Sequence, residues 1–556
     1  MLPLLTLAAF AFQFVGGTRP SVTIKNGTLL GVDLPQYNQS LFLGIPYAQP
    51  PVGDLRLRPP RSVNASFGTF EATAYSPHCW SRFTTGFDDN SGFPNSEDCL
   101  TLNVIQPHGV SKASPVPVVV WIHGGGLTTG GSADYRYNGS WIVEASMANE
   151  HPIVLVSINY RLASLGFLGG KALKDEGSLN LGLRDQRLAL HWVQENIAEF
   201  GGIPEKVTIM GESSGATSVH AHVIAYAGRD DHLFNQAIAE SGTGGGNFSL
   251  PTAAPFQDTY NALLGNTSCA STAKQSEADQ LACLRALPID EFRNNSAGTT
   301  GLVFDGDIID VPGTLEAYRT GKWVKAAFIV GSNTDEGFGF ATLGANTTAE
   351  AKTALNGVIP AQLQDQVLKL YPDVPALGCP FNTGDFQPAN TNPAGLQNKR
   401  VAAITGDVDM AAGARWLAQT ISSEVPFYKY RFNHVPWSTS FGTIDFIAHF
   451  LEVSYVFNLQ NNDTAFWVTN HFAATYLGPD APIGDRFLGT RMSSAWASFI
   501  ATGDPNNVKI PGAVTWPKYS ESKSGVNMVW QSQGAITEKD DFRAEGMQFI
   551  MDNVFF

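Results

Sequence analysis

Unbroken apolar runs bounded by turn residues recur along the chain, at 116–122, 153–158, 207–210 and 327–330. Their apolarity is continuous rather than alternating, which marks strands covered on both faces, as in a parallel sheet. Between two of these runs lies RDQRLALHWVQENIAEFGG, residues 184–202. There Ala189, Val193, Ile197 and Phe200 recur at helical spacing along one stripe, and Gly201-Gly202 supplies a C-terminal stop. Strand, helix, strand in this order predicts βαβ units, hence an α/β protein whose large, mostly parallel central sheet is flanked by helices.

The strand expected at 207–210 runs into VTIMGESSGA, where Gly211-Glu212-Ser213-Ser214-Gly215 fits G-x-S-x-G. That pattern places a serine on a sharp turn between a strand and a helix, here a helix opening near Ala216. The pattern alone is thin, because composition yields about 0.4 chance matches in a chain this rich in glycine. Its position after a buried strand is what gives it weight. Sterics separate the two serines. The tip of such a turn needs almost bare backbone two residues before and two after. Ser213 has Gly211 and Gly215 there, whereas Ser214 would have Glu212 and Ala216. Ser213 is the candidate nucleophile, and Ser214 offers its backbone N–H.

Upstream, the strand in PVPVVVWIHGGG ends at His123-Gly124-Gly125-Gly126. Glycines let a loop turn its amides inward, and with Gly125, Gly126 and Ser214 a three-donor oxyanion hole is expected. The loop lacks the G-K-[ST] ending of a phosphate loop. A serine hydroxyl also needs a base and an orienting acid, in chain order Ser, Asp/Glu, His for this architecture. The late histidines are His434, His449 and His471, and the acids nearest a strand end are Asp335 and Glu336. The residues alone do not choose within either set.

Composition narrows the function classes. Apolar residues make up 43% and charged residues 15% of 556, which fits a well-buried globular chain. No repeat at a period of 20–50 residues is visible. A formal charge of −15 argues against nucleic acid as a partner. The N-terminus, MLPLLTLAAFAFQFVGG, reads as a signal peptide over residues 1–17 although it lacks an early Lys or Arg. No later stretch is long and apolar enough to span a membrane. Sequons at Asn26, Asn38, Asn64, Asn138, Asn247, Asn266, Asn294, Asn346 and Asn462 also fit a secreted, extracellular glycoprotein. None of the five cysteines forms a close metal-binding pair, so short-range disulfides are expected. Cys79 pairs with Cys99 and Cys269 with Cys283, each loop worth about 3 kcal/mol in the chain-entropy model. Cys379 remains as a buried thiol.

From SLFLGIPYAQPPVGDLRLRPP through SEDCLTLNV, WIHGGG, SINYRLASLGFL, NLGLRDQRLALHWVQENIAEFGG and GESSGA, the chain resembles the type-B carboxylesterase/lipase family. These are cholinesterase-like α/β-hydrolases, and the likeness is to their secreted fungal esterases and lipases. It is dense to about residue 245 and resumes at SNTDEG and AHFLEVSYVFN. The resemblance implies a single α/β-hydrolase domain over 18–556, with Glu336 as the acid and His449 as the base. It implies that Ser241 helps hold them, that Glu212 sits beside the nucleophile, and that Arg56–Glu97 and Arg161–Asp185 are scaffold ion pairs.

The chemistry implied is ester hydrolysis through an acyl-enzyme, with no metal or organic cofactor. Leu127 stands where the family often has an aromatic, and is expected to border the acyl site. The Cys79–Cys99 loop, with Trp80, Phe83, Phe87 and Phe93, resembles a flap over the entrance. It is short for the lid of an interface-activated lipase, so small or medium acyl chains are expected, with a triacylglycerol or sterol-ester lipase as the alternative. The position of Trp80 disfavours a cholinesterase. A non-catalytic interaction module on the same fold is the alternative of a different class. The sequence does not indicate an oligomeric state.

Overall fold

The apolar runs of the sequence become strands near the middle of a sheet that has eleven strands among the described residues; three of the runs are neighbours and the fourth lies one strand away. The computed structural model describes residues 19–81, 93–243, 246–381, 395–437, 446–460, 475–531 and 533–556. In chain order the strands of the sheet are β1 (Val32–Leu34), β2 (Gln39–Pro46), β3 (Thr101–Pro107), β4 (Val116–Ile122), β5 (Val154–Ile158) and β6 (Gly202–Glu212). They continue with β7 (Gln236–Glu240), β8 (Ala327–Asn333), β9 (Phe427–Phe432), β10 (Val526–Gln531) and β11 (Gly534–Lys539). Across the sheet the order is β1-β2-β3-β5-β4-β6-β7-β8-β9-β10-β11. Strands β4 to β10 run parallel, and both edges of the sheet are antiparallel. This is the α/β-hydrolase architecture.

Register explains why the central strands are apolar throughout. Val118, Val120 and Ile122 of β4 enter one core layer, while Val119 and Trp121 enter the layer on the opposite face. Each such side chain contributes about 1.5–3 kcal/mol by leaving water. Strand β6 starts five residues before its apolar centre. Its register shifts between Gly202 and Val207, and Glu205 and Lys206 there are exposed, so hydrophobic patterning misses this part. Helix α1 (Leu181–Asn196) buries Ala189 and Val193, and a tight turn over Ile197–Phe200 buries Ile197 and Phe200. Gly201 then ends the run in the left-handed conformation, φ 71°.

Cys79–Cys99 and Cys269–Cys283 are disulfides, and Cys379 is a buried free thiol. Asn38, Asn64, Asn247, Asn266, Asn294 and Asn346 are exposed. Asn26 and Asn138 are half-buried, and the Asn26 amide donates to Val63 O at 2.9 Å. Asn462, His471, Phe83, Phe87 and the segment 1–17 lie outside the described residues. Among the described residues, no helix is long and apolar enough to cross a membrane.

Candidate active site

Strand β6 delivers Glu212 to its end, and helix α2 (Ser214–Gly228) starts two residues later. Ser213 sits alone between them at φ 57°, ψ −124°, a conformation that L side chains rarely adopt. Two close approaches make it possible. A Cβ on Gly215 would stand 2.1 Å from Ile122 O, and one on Gly211 would stand 2.5 Å from the Gly215 carbonyl carbon. The turn is also tied to β7, because the Ser213 N–H donates to Glu240 O at 2.9 Å. Its side chain stays partly open while Glu212 is fully buried.

The end of β8 grips the segment carrying His449 at three successive residues. Asn333 Nδ2 donates to Ala448 O at 2.7 Å. Asp335 donates its N–H to Ile447 O at 3.0 Å, and its Oδ2 accepts the Ile447 N–H at 3.0 Å. Glu336 Oε2 lies 2.7 Å from His449 Nδ1, and its Oε1 accepts the Asn333 N–H at 2.6 Å. Both open sets of candidates thereby narrow, with His471 outside the described residues. The Asp335 carboxylate is occupied by the amides of Ile447 and Phe381, so Glu336 is the acid that meets an imidazole. His434 is engaged elsewhere, its Nε2 2.8 Å from Asp485.

His449 Nε2 lies 3.1 Å from Glu212 Oε1. Among the described residues the Ser213 hydroxyl forms no hydrogen bond, although Ser213 and His449 line one chamber. Such contacts are often long in a free enzyme and tighten around substrate.

The glycine loop is moored to the same elbow. Gly125 and Gly126 have φ values of 98° and 62°. The Leu127 N–H donates to Ser214 Oγ at 3.0 Å, and Tyr160 Oη donates to His123 O at 2.7 Å. The hydroxyl of Ser214 thus couples the loop to the start of α2, a role the sequence did not indicate. Leu127 is buried in the core at φ 59° and, among the described residues, is not part of the lining of either chamber at Ser213.

Ser241 stands two hydrogen-bonded residues away from Glu336. Its Oγ donates to Glu452 Oε1 at 3.1 Å, and Glu452 Oε2 in turn accepts from Asn333 Nδ2 at 2.6 Å. It therefore reaches Glu336 through Glu452 and then Asn333. Arg56 pairs with Glu97 at 2.7 Å and Arg161 with Asp185 at 2.7 Å. Each arginine also caps backbone carbonyls, Leu284 and Leu287 for Arg56 and Arg58 for Arg161.

Negative charge is concentrated here. Burial works against a charge on His449, but Glu212, Glu336 and Glu452 outweigh it and raise the imidazole to about 9. Burial pushes Glu212 well above the usual carboxylate range, and burial together with Glu336 brings Glu452 to about 7. Glu212 and His449 are thus electrostatically coupled, with the carboxylate favouring the imidazolium.

Two chambers meet at Ser213. One, about 160 Å³, is lined by the glycine loop, Glu212, Arg136, Phe340 and His449. Phe340 stands edge-on to His449 at 5.0 Å, and Arg136 lies over Phe450 at 4.8 Å. The other, about 400 Å³, is lined by Ser214, Thr217, Ser241, Val408, Asp409, Met410 and Phe555, among others. Of the expected flap, Trp80 lies under Arg293 beside a separate cavity, and Phe93 stacks on His78.

Comparison with known proteins shows the family. The Carboxylesterase family model matches residues 18–549. The chain is 33% identical to Lipase 4 of Diutina rugosa, with 96% of each chain covered. It is 31% identical to Secreted lipase 1 of Botryotinia fuckeliana, covering 99% of this chain and 93% of that protein. The crystal structure of Aspergillus niger EstA superposes with a TM-score of 0.80 at 26% identity, covering 96% of this chain and 98% of that one. The chain belongs to the carboxylesterase family, and it is a serine carboxylic ester hydrolase of the α/β-hydrolase fold.

Proposed function

We propose that this hydrolase is secreted and cleaves esters of small or medium acyl chain through an acyl-enzyme on Ser213. The observation that carries the reading is the His449–Glu336 pair at 2.7 Å, facing the chamber that Ser213 shares. His449 takes the hydroxyl proton as Ser213 attacks the ester carbonyl, and Glu336 orients and stabilises the imidazolium. For this, Nε2 leaves Glu212 and engages Ser213. The oxyanion is held by the amides of Gly125, Gly126 and Ser214, each donor worth about 2.7–4 kcal/mol at the transition state. His449 then protonates the departing alcohol and activates water to release the acid. No metal or organic cofactor enters the cycle.

The signal-peptide character of residues 1–17 and the exposed sequons support export, as do relatives that are themselves named secreted lipases. The short Cys79–Cys99 loop supports an esterase with an accessible site rather than an interface-activated lipase. A panel of p-nitrophenyl esters of increasing acyl length, assayed below and above micelle formation, tests this. Rates that peak at short or medium chains without a jump at the interface are expected. Activity appearing only above the critical micelle concentration makes it a lipase instead. A folded protein that turns over no ester returns the interaction-module reading.

A further inference from the structure

The larger chamber beside Ser213 contains a carboxylate that the mechanism does not use. Helix α3 (Asn398–Gly406) and helix α4 (Ala412–Ile421) are joined by one wide π-helical turn, Asp407–Ala411. Val408, Asp409 and Met410 of this turn all line the chamber. The turn is anchored from behind by Asp407. Its carboxylate accepts from Tyr371 Oη at 2.7 Å and pairs with Arg543 Nη1 at 3.2 Å.

Asp409 is treated differently from Asp407. Among the described residues its carboxylate has no hydrogen bond and no salt bridge, and it faces the space that ends at the Ser213 side chain. Asp409 is exposed as a residue, yet desolvation of its carboxylate by the neighbouring protein raises it to about 6. The remaining lining is mixed, with the hydroxyl-bearing residues Ser214, Thr217 and Ser241 on one side and Val408, Met410, Val554 and Phe555 on the other. A carboxylate in a half-enclosed site gains from a ligand that brings a donor or a positive charge, and it resists an alkyl chain or a second carboxylate.

We infer that Asp409 makes this chamber a subsite for an ester whose acyl or alcohol part carries a hydrogen-bond donor or a positive charge, a hydroxylated or ammonium-bearing group. The inference rests on Ser213 being the nucleophile, since that places one half of a bound ester in this chamber. Asp409 then selects the substrate and does not take part in bond making.

The test measures kcat/KM at pH 8 for two series. One varies the acyl group of p-nitrophenyl esters, and the other varies the alcohol of butanoate esters followed by pH-stat. Each series contains an alkyl, a hydroxyl, a trimethylammonio and a carboxylate member of similar size. In one series the wild type should favour the hydroxyl or cationic member over its alkyl isostere by about tenfold. Asp409→Asn and Asp409→Leu should bring that ratio to within about twofold of one. A preference for hydroxyl alone identifies a polyol group and a preference for the cation alone an ammonium group; either supports the subsite. Because the readout is a ratio within each variant, an effect of Asp409 acting through His449 cancels. Equal ratios in wild type and both variants, with normal turnover, overturn the subsite and leave the esterase reading intact. Absence of turnover on every ester overturns both.

Discussion

Replacing Glu336 by Gln changes two contacts and almost no volume. The carboxylate meets His449 Nδ1 at 2.7 Å with one oxygen and the Asn333 N–H at 2.6 Å with the other. A carboxamide has only one acceptor. If its oxygen keeps the Asn333 amide, its NH2 faces Nδ1, which must then be the unprotonated nitrogen. The proton moves to Nε2, and the imidazole can no longer accept one from Ser213. If the amide flips, its NH2 opposes the Asn333 N–H in a buried site, leaving a donor unpaired at a cost of about 1–3 kcal/mol. The inactive tautomer is therefore the favoured state, and the charge that stabilises imidazolium is gone as well. We expect kcat on p-nitrophenyl butanoate to fall by about 10³–10⁴, the scale of the equivalent change in a Ser-His-Asp enzyme. KM should stay within about threefold, because Glu336 lines neither chamber. Steady-state kinetics on a variant checked by circular dichroism provide the assay. A folded variant retaining more than a tenth of wild-type kcat would refute the assignment of Glu336.

Gly215→Ala should leave little active, folded enzyme, since its Cβ would lie 2.1 Å from a backbone oxygen that cannot move aside; wild-type thermal stability would contradict the elbow argument. Ser214→Ala removes the acceptor for the Leu127 amide and should lower kcat about tenfold by loosening the glycine loop, with no change in the pH profile. Glu212→Gln removes the negative charge nearest His449 Nε2. Protonated His449 is the inactive form, and Glu212 stabilises it, so the limb over which kcat/KM rises with pH should move to lower pH by about one unit. A limb that stays fixed or moves upward would show that Glu212 does not govern the base. Loss of Cys269–Cys283 in a double serine variant should cost about 3 kcal/mol, read as a shorter thermal half-life, with kcat retained because that loop lines neither chamber.

Much of the architecture is legible in the sequence because it is local. Four buried runs mark strands, one apolar stripe marks a helix, and the spacing of Gly211 and Gly215 singles out Ser213. The outermost strands β1 and β11 and the first half of β6 are not legible, since their half-buried, exposed and polar residues break the apolar pattern. The choice of His449 and Glu336 needed the family resemblance, because no short-range signal connects residues 113 positions apart. What the residues alone hide is the long-range wiring: the grip of Asn333 and Asp335 on 447–448, the Ser214 hydroxyl under the glycine loop, and the wide turn that presents Asp409. These depend on which loops meet in space. Leu127, expected at the acyl site, is a core residue on a left-handed backbone, which its sequence position does not show.

The most direct test is to treat the purified protein with a reactive organophosphate and map the adduct by peptide mass spectrometry while following esterase activity. One adduct per chain, on Ser213, is expected, with activity lost in proportion, and Ser213→Ala should be both unlabelled and inactive. A labelled residue elsewhere, or esterase activity that survives in Ser213→Ala, would contradict the account.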